Sequence, residues 1–127
     1  MSVPRNPFHL SETSLKRQTR DYLGWLENLG FLWYERLNSG SIVVAQGDRK
    51  RKVELCRPGT ADFIIIIKGQ VVFWETKSRT GKPSPEQREF GEKAFRNGAI
   101  YIHGGAIDAL VEMLQAINPK ISSPEGY

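Results

Sequence analysis

Cysteine, histidine and long apolar runs are what this chain has least of. One cysteine, Cys56, among 127 residues excludes an intrachain disulfide. The two histidines, His9 and His103, do not amount to the Cys and His set of a structural zinc site. No apolar run approaches the roughly 18 to 20 residues that span a bilayer, and the opening MSVPRNPFHL lacks the apolar stretch of a secretory signal. These absences predict a reducing, cytoplasmic setting and no membrane partner. Repeats and low-complexity tracts are missing as well. An excess of one charge is nearly so: 18 Lys and Arg stand against 14 Asp and Glu, a formal +4 with a pI near 9.4. That balance is compatible with a polyanionic partner and common among other proteins. The length suits one domain, 1–127, with a single core.

What is present reads as a mixed α/β chain. Ser11 is a good N-cap, and Leu15, Thr19, Tyr22, Leu23, Leu26 and Leu29 recur at helical spacing before Gly30, so a helix is predicted from about Ser11 to about Asn28. Lys16, Arg17, Arg20, Asp21 and Glu27 fall on its outer face, whereas Glu12 shares the inward stripe with Leu15, Thr19 and Leu23. An acid in a first turn complements the helix dipole, and that alone is one reading of Glu12. FLWYERL and SIVVAQG, separated by NSG, suggest a hairpin, followed by a Gly-flanked basic run, Arg49, Lys50, Arg51 and Lys52, that suits either a solvated loop or contacts to phosphate.

ADFIIII and QVVFWETK, joined through Lys68-Gly69, form the clearest strand pair, apolar enough to be covered on both faces and central to a sheet. Ser84-Pro85-Glu86-Gln87 is a capping box opening a second helix that Asn97-Gly98 closes. AIYIH is a further strand. Ile107, Leu110, Val111, Leu114 and Ile117 mark a third helix that ends before Pro119.

The charges set into the apolar hairpin carry the chemistry. Alternate side chains of a strand share a face, so Glu75 and Lys77 project together, away from Trp74 and Thr76. Antiparallel pairing brings Asp62 roughly across from Glu75 to Lys77. Close carboxylates repel unless a cation holds them ionised, and Mg²⁺ accepts one or two carboxylates while keeping several waters. A divalent-metal site is the economical explanation.

Asp62 followed by Glu75-Thr76-Lys77 resembles the D…(D/E)-x-K core of the PD-(D/E)XK nuclease superfamily. Gly59 three positions before Asp62, Gln87 ten after Lys77 within SPEQ, Gly98 and AIYIH make the chain similar to the VRR-NUC branch, with its G-x-x-D, E-x-K and S-P-x-Q in this order. The likeness spans about residues 11–117. Ala61 stands where proline is often found. The resemblance implies a restriction-endonuclease-like αβββαβα core, a mixed central sheet flanked by helices. It further implies a metal-dependent endonuclease similar to stand-alone, often phage-encoded members that act on Holliday junctions as homodimers. By the same resemblance Asp62 and Glu75 would hold Mg²⁺ or Mn²⁺, with the Thr76 carbonyl as a further ligand and Glu12 completing the site directly or through water. Lys77 would orient or deprotonate the attacking water. Gln87 would join the catalytic set, although its place in the capping box explains it equally well.

Arg49 to Lys52, Ser78, Arg79 and Lys82 are the candidate DNA contacts; the last three also suit an ordinary polar loop. A flap, single-strand or weakly selective nicking nuclease uses the same site, and a catalytically inactive DNA-binding module is the alternative of another class. FLWYERLNSGSIVVA, rich in aromatic and β-branched residues, is the candidate dimer surface, with half-buried sheet as the other reading. Cys56 reads as a small buried or half-buried hydrophobe, and Trp25, Trp33 and Trp74 as core. His103 reads as a satisfied strand-end histidine.

Overall fold

The computed structural model describes residues 11–38, 40–76, 82–104 and 106–122, without the Glu12 side chain. Ser11 caps the first helix, α1 (Glu12–Asn28), its side chain accepting from the Ser14 N–H. Leu15, Thr19, Tyr22, Leu23 and Leu26 are buried along one stripe, and the Thr19 hydroxyl is satisfied by the Leu15 carbonyl at 2.8 Å. Strands β1 (Trp33–Arg36), β2 (Ser41–Gln46), β3 (Arg49–Glu54), β4 (Phe63–Ile67) and β5 (Gln70–Glu75) follow. Helix α2 (Pro85–Arg96), strand β6 (Ile100–His103) and helix α3 (Ile107–Ile117) complete the order.

The main sheet runs β1-β4-β5-β6, antiparallel except for the parallel β5–β6 pair that α2 bridges. Such a parallel pair requires a crossover, which the second helix supplies. Phe63, Ile65, Ile67, Val72 and Trp74 turn one face of the sheet to the buried sides of α1 and α3, forming the core with Leu23, Leu26, Leu110 and Leu114. On the other face Phe90 of α2 stacks edge-on against Phe73 at 4.9 Å between ring centroids and lies 5.7 Å from the Tyr101 ring. The strands β4 and β5 are therefore central, as their unbroken apolar runs predict. Their connection, Lys68-Gly69, has positive φ at both residues (49° and 77°), the geometry of a two-residue hairpin turn.

Three expectations from sequence are corrected. β1 and β2 do not pair with each other. β1 lies along β4, fastened beyond its end by the Leu37 N–H to the Asp62 carbonyl at 2.7 Å. β2 pairs instead with β3, the basic run itself, which is thus a strand and not a flexible loop. The reason is the tighter connection: Gly47-Asp48 is a two-residue turn with Gly47 at φ +63°, and it matches strand twist better than N-S-G. The resulting ribbon is exposed along nearly its whole length. Third, of the tryptophans Trp74 alone is in the core, while Trp25 and Trp33 are 42% and 57% exposed. With the ribbon set aside, the body reads α1, β1, β4, β5, α2, β6, α3: one helix, three strands, helix, strand, helix. Among the described residues no helix is long and apolar enough to cross a membrane.

Candidate metal and phosphate site

Asp62 is the last residue before β4 and Glu75 the last of β5. The register that sets Phe63 opposite Trp74 brings the two acids to one end of the hairpin. Glu75 is buried, and the Asp62 side chain is 15% exposed. Each carboxylate is held by a specific donor. Asp62 Oδ2 accepts from the Thr76 backbone N–H at 3.0 Å and from its hydroxyl at 2.6 Å. Glu75 Oε2 accepts from Gln87 Nε2 at 2.8 Å. Hydrogen bonds of this kind fix the direction of a carboxylate.

Gln87 performs two tasks at once. Its side-chain carbonyl accepts from the Ser84 N–H at 2.9 Å while its own N–H donates to Ser84 Oγ at 3.2 Å, a complete capping box. Its amide nitrogen still reaches Glu75. A glutamine can do both because its amide carries an acceptor and two donors on one planar group. The capping and site readings of Gln87 are thus compatible.

Gly59 explains the G-x-x-D spacing. It has φ +88°, and a Cβ there would stand 3.0 Å from the Gln87 nitrogen and closer still to the Glu86 carbonyl. Backbone of the 57–60 turn and backbone of the α2 N-terminus meet at this point. Only glycine allows both the conformation and the approach. Three residues on, the chain delivers Asp62 beside the helix start that carries Gln87.

Together these residues line a cleft of about 270 Å³ with Thr60, Thr76, Ser84, Glu86 and Lys16. Two larger grooves, about 650 and 760 Å³, run along α2. They are lined by residues such as Phe73, Phe90 and Phe95 and contain neither Asp62 nor Glu75, so size does not identify the chemistry here. The oxygen-only donor set of Asp62 and Glu75 fits a hard divalent cation, which takes one or two carboxylates and keeps water in its other positions. No group of three or more His, Cys, Asp or Glu suited to a metal is assembled among the described residues.

Lys16 corrects the sequence reading. Assigned there to the outer face of α1, it sends its ammonium to 3.6 Å from Asp62 Oδ1, with 30% of its side chain exposed. It borders the buried stripe, and a long aliphatic stem from such a position can lie over apolar surface while its head reaches a charge on a neighbouring element. A lysine pattern at helical spacing does not reveal this, because the partner belongs to a distant strand. Nothing in the sequence marks Tyr101 either. It lies on β6 opposite Phe73, on the Glu75 side of the sheet, and its buried hydroxyl has no hydrogen-bond partner among the described residues. Burial, then the charges of Glu75 and Asp62, push its pKa up to about 12. The phenol therefore stays protonated at neutral pH.

The remaining candidates fall in different places. Glu12 stands in the first turn of α1, one turn before Lys16, but its side chain is outside the described residues, as are Lys77, Ser78 and Arg79 entirely. Lys82 is exposed, two residues before the α2 cap. Arg49 to Lys52 are carried away from the main sheet on β3. Facing residues in the ribbon group Arg49 and Arg51 with Gln46 and Val44 on one side, Lys50 and Lys52 with Ala45 and Val43 on the other. His103 ends β6, and Cys56 is half-buried at the ribbon base, where its N–H bonds the Asn38 carbonyl. No protein-family model matches the chain, and no curated protein matches its sequence.

Proposed function

We propose that this protein is a divalent-metal-dependent DNA endonuclease of VRR-NUC type, hydrolysing phosphodiester bonds in branched DNA and above all in Holliday junctions. The observation that carries the reading is the pair Asp62 and Glu75, brought to adjacent strand ends in one polar cleft and each held by its own donor. The α, βββ, α, β, α order of the body supports a restriction-endonuclease-like core.

In this reading Asp62 and Glu75 hold Mg²⁺ or Mn²⁺, with the Thr76 carbonyl and Glu12 as further ligands. The ion, when bound, polarises the phosphodiester and makes water a better nucleophile. Thr76 keeps Asp62 from rotating, leaving Oδ1 directed to the cleft. Gln87 does the same for Glu75. Lys77, two residues beyond Glu75, orients the attacking water and offsets charge that builds on the phosphate.

The substrate test is cleavage of a labelled four-way junction beside flap, single-stranded and linear duplex DNA with Mg²⁺. Paired cuts on opposed strands of the junction are expected. Preferential cutting of flap or linear DNA replaces resolution with the flap or nicking alternative, and binding without cutting replaces it with the DNA-binding module.

The two functions of Gln87 separate experimentally. Ser84→Ala removes a cap and costs about 1 kcal/mol in stability, with cleavage retained. Gln87→Ala leaves that capping bond but removes the reciprocal one, accepted from the Ser84 N–H, together with the Glu75 donor, so cleavage falls by about two orders of magnitude as well. Equal cleavage by both variants reduces Gln87 to a capping residue.

The ribbon is assigned the DNA backbone on its cationic β3 strand and a second copy of the chain on β2. The outer edge of β2 carries no charge, and Ile42, Val43 and Val44 are 48%, 67% and 38% exposed. An uncharged, β-branched edge strand invites pairing with another chain. Two junction strands need two sites, which a twofold dimer provides. Sedimentation at micromolar protein should give about twice the chain mass. Converting Arg49 to Lys52 to alanines should weaken binding to every DNA tested and reduce the slope of log K against log salt by about 3 to 4. An unchanged slope leaves the basic strand without a DNA role.

A further inference from the structure

Among the described residues lining the cleft, the Asp62 carboxylate, beside the buried Glu75, meets one cation, Lys16. The arrangement at Asp62 is asymmetric. Oδ2 is occupied by both Thr76 donors, while Oδ1 looks toward the Lys16 ammonium at 3.6 Å. That is the oxygen a divalent cation in the cleft would have to use. Lys16 comes from α1, whereas Asp62 and Glu75 come from adjoining strand ends of the sheet, so its head can leave without disturbing their hydrogen bonds. A flexible ammonium on a four-carbon stem suits such an exchange better than a planar guanidinium fixed by several bonds.

We infer that Lys16 is the resident counter-cation of Asp62 and exchanges with the divalent ion. It neutralises Oδ1 while the site is empty of metal, keeping the acids from repelling one another. It is displaced when the ion arrives, and its charge is then free to meet the anionic substrate at the cleft mouth. This rests on the metal-site reading of Asp62 and Glu75 and gives α1 a role in loading the site. An ordinary surface ion pair makes no such prediction, because its loss leaves metal affinity unaltered.

The test is calorimetric titration of the full chain with Mn²⁺, without DNA, comparing wild type with Lys16→Met and Lys16→Gln. Arg17→Met is the control, since it removes the same charge from the adjacent, exposed position of α1. Both Lys16 variants should bind Mn²⁺ about fivefold more tightly, the equivalent of losing an ion pair of ordinary strength. Their melting temperatures should rise more on Mn²⁺ addition than that of wild type, and Arg17→Met should match wild type in both measurements. Metal binding by the Lys16 variants alone also supports exchange, with lysine the stronger occupant. Wild-type binding with unchanged or weaker affinity in both Lys16 variants overturns the exchange and leaves the metal site standing. Tightening by Arg17→Met to the same degree overturns it too, by showing that net charge suffices. Absence of binding in all four proteins overturns both the exchange and the metal site.

Discussion

Asp62→Asn and Glu75→Gln are each expected to reduce Mg²⁺-dependent cleavage by about a thousandfold or more, while DNA affinity measured in EDTA or Ca²⁺ stays close to wild type. Both substitutions preserve shape. An amide oxygen at position 62 can still accept from the Thr76 N–H and hydroxyl, and one at position 75 can still accept from Gln87 Nε2. Each variant should therefore fold and melt near wild type. What each loses is the negative charge that a divalent cation requires of its oxygen ligands. Lys77→Ala should also remove turnover, but with Mn²⁺ binding intact, because a protonated lysine has no lone pair to ligate metal. Turnover near the wild-type rate by Asp62→Asn or Glu75→Gln removes those carboxylates from the reaction. Loss of metal binding in Lys77→Ala assigns that lysine a structural role.

Gly59→Ala is expected to destabilise the fold by about 3 kcal/mol, lowering the melting temperature by about 10 °C. Two costs combine at this position. The left-handed backbone, φ +88°, disfavours any residue with a Cβ. The added methyl would also press on the Glu86 carbonyl and the Gln87 nitrogen, which are backbone atoms of a capped helix start and cannot swing aside as a side chain can. Relief requires the α2 N-terminus to move away from the 57–60 turn, carrying Gln87 from Glu75. Thermal unfolding followed by circular dichroism measures the first effect. Cleavage below the melting transition measures the second, and it should fall with the loss of the Gln87 contact. A variant as stable as wild type shows that the turn and the helix start do not have to meet.

The parts of this architecture written within a few residues of one another are legible in the chain. Ser84, Pro85 and Gln87 specify a helix start because the capping bonds join positions three apart. Lys68-Gly69 specifies a turn, and the apolar runs on either side then fall into register and bring Asp62 level with Glu75. Gly59 could be singled out by its spacing from Asp62, though the helix backbone that demands a glycine there comes from α2.

Contacts between distant segments were settled by tertiary structure. β1 chose β4 over its sequence neighbour β2, since a central apolar strand offers more burial than a strand exposed along its whole length. That choice freed β2 to form the ribbon with β3. The helical pattern of α1 separates buried from exposed positions, yet it is silent about what a half-exposed lysine meets, so Lys16 reached Asp62 unannounced. Tyr101 became part of the site surroundings only through the parallel β5–β6 pairing that α2 makes possible. Propensity and capping act over one or two turns of chain, whereas the partners of a long charged side chain depend on which elements pack beside it.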